Sequence, residues 1–353
     1  MAVRRSGRRE ERTVVRSGAR QAMGTGMALT VLLFLLPGIL VGQMPVEEKP
    51  VLPSQSAVPE AVETVGGCRD RGKVVRLARQ DGRIEELTLE DYLWGVVAAE
   101  MPASFELEAL KAQAAAARTY TIRLQSAVTP KHENAHLCDD STCCQAYVER
   151  KDAEARWGLQ AGLFGNKITD AISKTDGLGV LYEGKPIQAV FFSSAAGSTV
   201  DAVQVWGSTV DYLKSVDSPE GEEVPNYHTQ VALTAQEVKE RVLGIYPRAD
   251  LTGEPSTWFG TPEYSAGGSV AKVLVGGLEL TGAQVRALFE LRSATFSIKF
   301  QNGDTFLFDV TGYGHGVGMS QYGANAMAKE GAGYREILTW YYTGTEVGYL
   351  WEE

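Results

Sequence analysis

The polar and apolar residues from Lys73 to Leu89, KVVRLARQDGRIEELTL, read as a β-hairpin with Asp81-Gly82 as its turn. Order is expected to begin just before it, near Gly72. Thr88 and Asp91 then have the spacing of a capping box, which predicts a helix running to about Ala99. Pro102 ends that helix. Ser104 is placed to cap a second helix, with Glu106 and Glu108 in its first turn favouring the dipole. Apolar positions 107, 110, 114, 117 and 121 follow at helical spacing. Lys111 and Arg118, seven apart, lie on one face of it.

Farther on, residues 150–175 have a helical pattern, and LGVLYEGKPIQAVFFSSAAG, residues 178–197, is apolar enough for a buried hairpin. Residues 207–230 are rich in loop formers, and 234–243 read as a short helix. A third β region covers about 270–310 and contains the helix TGAQVRALF, with Thr281 as its cap. A glycine-rich loop and two helices, about 319–331 and 333–342, complete the pattern. No internal repeat and no appended binding module is visible. The simplest account is an α+β fold: one compact mixed α/β catalytic unit with inserted loops over residues 66–353.

Ahead of that unit lies an apolar run from Gly26 to Gly42, about 15–17 residues, just under the roughly 20 of a usual membrane-spanning helix. Arg4, Arg5, Arg8, Arg9, Arg12, Arg16 and Arg20 precede it. The positive-inside rule then makes residues 1–24 a basic cytosolic tail, 25–42 a transmembrane anchor, and everything after 43 extracytoplasmic. A cleaved signal peptide is the competing reading, but GQMPVEE after the run offers no clean small-x-small site. Residues 43–65, with four prolines and almost no periodicity, read as a disordered tether.

Composition adds little: 44% hydrophobic and 22% charged residues are ordinary for a globular protein. The net charge of -10 argues against a general nucleic-acid binder. Chemistry is suggested at four places. Glu100 closes an apolar helix among Val96, Val97, Ala98, Ala99 and Met101, where desolvation would raise its pKa and suit it to general acid work. The alternative is a helix-terminal Glu that is solvated or paired with Lys111 or Arg118. Residues 311–331, TGYGHGVGMSQYGANAMAKEG, alternate glycine with Tyr313, His315 and Val317. This is either backbone that lets a ligand approach closely or a strained turn packed on the core. It fits neither a dinucleotide fingerprint nor a P-loop. FFSSAAG, residues 191–197, presents two hydroxyls after a buried strand, without a nucleophile-elbow pattern. Trp206 could stack on a sugar or belong to the core. Finally, His132, His136, Cys138, Cys143 and Cys144 fall within 13 residues. They suit either a structural zinc site or a disulfide from Cys138 to Cys143 or Cys144, with Cys68 as another partner.

Four blocks in this order resemble the SpoIID/LytB family: YLWGVVAAEMPASFELEALKAQAAAARTY, the CDDSTCCQAY region, AVFFSSAAGSTVDA with the following VWG and YLKSVDSPE, and GYGHGVGMSQYGANAMAKEG with ILTWYYTGTEV. They span nearly all of the predicted extracytoplasmic part. The resemblance implies a lytic transglycosylase that cuts peptidoglycan glycan strands lacking stem peptides during sporulation engulfment. Its implied partners are an amidase of the SpoIIP type and a membrane protein of the SpoIIM type. The family's essential acid falls before the Met-Pro, which here is Glu100. By matching blocks, Lys111, Gln113 and Arg118 would line the groove, and Ser193, Ser194, His315, Ser320 and Gln321 would position the glycan. By position, His132, Cys138, Cys143 and Cys144 would hold a structural zinc, with a Cys at the third place where a family member has His. A lytic transglycosylase needs one carboxylate where hydrolytic glycosidases commonly need two. Relatives that enhance amidases keep a second reading open, a non-catalytic glycan-binding recruiter.

Overall fold

The structure, a computed structural model, describes residues 68–127 and 131–351. The expected tail, anchor and tether lie outside the described residues. Among the described residues no helix is long and apolar enough to cross a membrane. The fold mixes helices with several small sheets. In chain order the helices are α1 (Leu89–Glu100), α2 (Leu107–Gln125), α3 (Arg150–Trp157), α4 (Ala161–Ser173), α5 (Ala202–Trp206), α6 (Ala235–Ile245), α7 (Gly282–Phe289), α8 (Gln321–Lys329) and α9 (Tyr334–Tyr341).

The hairpin forms, with Val74–Ala78 antiparallel to Ile84–Thr88, and Leu137–Cys138 adds to its other edge in parallel. Thr88 caps α1 by accepting from Asp91 N. Ser104 does not cap α2. The N-cap is Glu106, which has no side-chain cap bond, and its own N–H instead donates to Asn325 Oδ1 of α8 at 2.8 Å. A distant side chain therefore does what a local cap would have done. The region 150–175 is two helices, broken by a 3-10 turn at Gly158 with φ 53°. The second hairpin is cut short: Leu178–Tyr182 meets only Lys185–Pro186 and takes Glu346–Tyr349 on its other side. Phe191–Phe192 leaves to pair in parallel with Met319–Ser320.

Two cores result. The first surrounds α2, whose residues Ala109 to Thr119 are all buried. Six alanines on this stretch let α1, α4, α8, α9 and the 178–182 strand approach it from all sides. The second core belongs to residues 228–311, where Phe306 and Phe308 pack with Phe259, Phe289 and Phe296. Burying each such ring contributes about 1.5–3 kcal/mol. This inserted part leaves and rejoins the body through neighbouring strands. His228–Thr234 pairs with Thr305–Thr311, and Gly312 N closes the neck on Tyr227 O at 2.9 Å. The expectation of one unit with inserted loops did not separate this second core.

Candidate active site

Met101 precedes a proline and is extended (φ -117°, ψ 143°), so α1 stops abruptly and leaves Glu100 on its last turn. Three elements converge on the carboxyl. Glu100 Oε1 accepts from Ala146 N at 2.7 Å, in the loop after the cysteine cluster. Oε2 accepts from Gln321 Nε2 at 3.0 Å, at the start of α8. The residue is half-buried, but its carboxyl is enclosed, and desolvation pushes its pKa up against the pull of these two neutral donors. The negative end of the α1 dipole acts in the same sense as desolvation. No charged group contributes to the shift. The pairing with Lys111 or Arg118 does not occur: Lys111 Nζ meets Glu108 at 3.0 Å, and Arg118 meets Asp70 at 2.8 Å. A carboxyl that tends to keep its proton, without a second carboxylate against it, is equipped to donate that proton to a ligand oxygen.

Gln321 is aimed by a second buried carboxylate that the sequence reading missed. Glu220 Oε1 accepts from Ala195 N at 2.6 Å and from the Ser320 hydroxyl. Its Oε2 accepts from Ser218 Oγ at 2.6 Å, and Ser218 Oγ lies 2.6 Å from the Tyr341 hydroxyl. Burial pushes Glu220 up, with Ser218, Ser320 and the Ala195 N–H pulling it back. Ser320 is also the N-cap of α8, accepting from Gly323 N at 3.2 Å. Glu220 thus ties the SSAAG turn to the start of the helix that carries Gln321. Nothing local in SPEGEE marks Glu220 for this.

Several expected groove residues hold the fold instead. Arg118 is 0% exposed: its guanidinium contacts Asp70, Thr175 Oγ1 and the carbonyls of Leu178 and Ile172. Gln113 is also fully buried, and Lys111 is buried with its ammonium 4.3 Å from the Tyr334 ring centre. The reason is common to all three: α2 has no solvent face along this stretch. His315 Nε2 meets Phe191 O at 3.1 Å and Nδ1 accepts from Val317 N. Desolvation first, then the Arg286 charge, holds the His315 imidazole down at about 4, so it is neutral and structural. Ser320 is occupied by its cap and by Glu220, and the Ser194 side chain is buried. Ser193 is half-buried, with its carbonyl accepting from Tyr322 N. The alternating glycines are explained by the chain itself. Gly312, Gly314, Gly316 and Gly318 all have φ between 77° and 121°, and a Cβ on Gly318 would sit 2.2 Å from Val190 O. The close approach is to the 190–200 segment, not to a ligand.

The cysteine cluster assembles beside the Ala146 loop. One ligand atom from each of His132, Cys138, Cys143 and Cys144 lies within 4.8 Å of the others. The three cysteines of the group are free thiols, and Cys68, also free, is exposed and outside it. His132 Nε2 is 3.2 Å from Cys144 Sγ and 3.7 Å from Cys143 Sγ. His136 is elsewhere, its Nδ1 accepting from Arg76 N at 3.0 Å. A tetrahedral zinc with sulfur and nitrogen ligands spaces its donor atoms roughly 3.5–3.8 Å apart, so the residues fit such an ion.

Residues 79–182 match the family model described as SpoIID, stage II sporulation protein. The chain is 39% identical over 331 residues to stage II sporulation protein D of Bacillus subtilis (strain 168), covering 90% of this chain and 93% of that one. It belongs to the SpoIID family. Stage II sporulation protein D of Bacillus amyloliquefaciens is 37% identical over 329 residues, again 90% of this chain and 93% of that protein. The amidase enhancer of Bacillus subtilis is 29% identical over 311 residues, which are 72% of this chain and 40% of that protein. Glu100 and the four-residue cluster fall inside the family match; Gln321 and Glu220 lie beyond it.

Proposed function

We propose that this chain is a peptidoglycan lytic transglycosylase acting on glycan strands without stem peptides during sporulation, with Glu100 as its sole acid and base. The observation that carries the reading is the Glu100 carboxyl, enclosed, held by two neutral donors and free of charged neighbours. Glu100 gives its proton to the oxygen between N-acetylmuramic acid and N-acetylglucosamine, and the bond from that oxygen to the muramoyl C1 breaks. The resulting carboxylate takes the proton from the muramoyl C6 hydroxyl, whose oxygen bonds to C1 and closes a 1,6-anhydro ring. The proton returns to Glu100, and no water is consumed. In this reading residues 25–42 anchor the chain with residues 66–353 outside the cytosol. A SpoIIP-type amidase supplies stripped strands, and a SpoIIM-type membrane protein holds the assembly.

The cluster of His132, Cys138, Cys143 and Cys144 is read as a structural zinc site. Zinc bound there would clamp the loop that delivers Ala146 N–H to Glu100, and four protein ligands would leave no position for water.

The likeness to an amidase enhancer supports one alternative, a glycan-binding activator. Mass analysis of products from stripped glycan separates the readings. Anhydro ends formed by the parent chain, and reduced at least ~100-fold by Glu100→Gln, are expected. Reducing ends would replace the transglycosylase by a hydrolase, and no products at all would leave the activator. Undiminished anhydro products from Glu100→Gln would remove Glu100 from the chemistry.

A further inference from the structure

One wall of the inserted part carries two arginines without a carboxylate partner among the described residues. After α7 the chain reverses at Glu290 (φ 57°), which brings Arg292 back against Arg286. Arg286 Nε donates to Arg292 O at 3.1 Å, and Gly314 N donates to the same carbonyl at 2.9 Å. The Arg292 guanidinium lies 3.8 Å from the centre of the Tyr313 ring. Tyr313 is 44% exposed, and its backbone is bonded in both directions to Ser194. These residues line a cleft of about 370 Å³ with Ala287, Glu290 and Leu291. Glu290, the one carboxylate in the lining, is engaged by Arg241 at 3.1 Å and its side chain is 80% exposed.

Both arginines are half-buried. Burial pushes the Arg286 guanidinium down, with the Tyr313 phenol offsetting part of this, and Arg292 Nε is enclosed without a partner. Cations held in this way lose hydration that a bound anion would make good. The cleft charges reach residues that flank the site rather than the Glu100 carboxyl itself. The Arg292 charge acts on the phenol of Tyr322, the residue next to the Glu100 donor. The Arg286 charge acts on His315, whose ring is 6.2 Å from that of Trp206, itself 40% exposed. Tyr313, against the Arg292 guanidinium, and Trp206, beside His315, are two exposed rings suited to sugar faces.

We propose that Arg286 and Arg292, beside Tyr313, form a carboxylate-binding subsite for the free lactyl group of a muramic acid. The inference rests on the reading that the chain acts on stripped glycan. Removing a stem peptide by amide hydrolysis converts a neutral lactyl amide into a carboxylate, one on every muramic acid. A guanidinium fork matches a carboxylate in charge and geometry and has no comparable partner in the amide. The subsite turns the loss of a peptide into affinity, and so reads the history of the strand.

The test is binding by the full-length chain carrying Glu100→Gln, so that cleavage plays no part. The probes are a stripped tetrasaccharide of alternating N-acetylglucosamine and N-acetylmuramic acid, the same sugar with its lactyl groups converted to methyl amides, and a strand bearing intact stem peptides. The acid form should bind about tenfold or more tightly than the amide. Adding Arg286→Gln and Arg292→Gln should abolish that ratio while leaving the affinity for the amide unchanged, and Arg292→Lys should restore part of it. Equal binding of acid and amide, or a ratio that survives the double substitution, overturns the proposal. A loss of affinity for both sugars alike overturns it too, since that marks a structural role. Arginine-dependent binding of the peptide-bearing strand as tight as that of the stripped one assigns the subsite to stem-peptide carboxylates and also overturns it. Anhydro products that persist after Glu100→Gln would sink the catalytic reading and leave the acid-to-amide ratio untouched.

Discussion

Arg118→Met is expected to unfold this protein more readily rather than to weaken its grip on glycan. The guanidinium lies at the centre of the first core, 0% exposed, and its partner Asp70 is 2% exposed. It reaches both Asp70 oxygens at 2.8–3.1 Å, Thr175 Oγ1 at 3.3 Å, and the carbonyls of Leu178 and Ile172 at 3.0 and 3.3 Å. Methionine fills much of the volume but supplies none of these donors. Asp70 is then a buried charge whose one remaining donor is the Gly177 N–H at 3.2 Å. Breaking one side of a buried pair costs about 3–5 kcal/mol. Against a typical domain stability of roughly 5–15 kcal/mol, that is a large fraction. Chemical denaturation of the parent, Arg118→Met, Asp70→Leu and the double variant measures it. The double variant should be less destabilised than the sum of the singles, because replacing both charges removes the orphan. Unchanged stability in Arg118→Met together with lost glycan binding would refute the reasoning and return Arg118 to the groove.

Three further outcomes follow from the same contacts. Gly323→Ala places a methyl 2.0 Å from the Tyr341 hydroxyl, 2.4 Å from Ser218 Oγ and 2.6 Å from Glu220 Oε2, so it should cost at least about 1–3 kcal/mol in denaturant. A neutral result would mean that the Glu220 hub is looser than described. In Gln321→Leu, Glu100 loses a donor that favours its ionised form, so its raised pKa rises further and the acid stays protonated to higher pH. The alkaline limb of the activity profile should move up; a limb that stays or moves down contradicts the contact. If zinc fills the His132 cluster, dialysis against a chelator should lower Tm and added zinc should restore it, whereas a Tm indifferent to both counts against the site.

How much was legible depended on distance along the chain. Thr88 with Asp91, and Thr281, cap their helices as read, because such caps close within three residues. The apolar setting of Glu100 was visible in its own helix. The His132 quartet lies within 13 residues, and the fold brings the four together. Arg118 was misread because its partner stands 48 residues away and its helix is buried all round. Periodicity separates faces only when one of them meets water, and a run of alanines blurs even that. Gln321 was named from a motif, but its contact with Glu100 spans 221 residues and could not be seen. Alternating glycines announced positive φ without saying which surface they would hug.

The neck at Tyr227 and Gly312 has a consequence for how this architecture can vary. Residues 228–311 carry their own core and leave and return at one point, so a short turn could replace them without stretching the rest. Glu100, Ala146 and Gln321 would keep their places, since none of them belongs to that segment. The arginine wall would go with it. On the proposed reading, bond-breaking and strand-reading would be lodged in separable parts of one chain, and selection could trade one module while conserving the other.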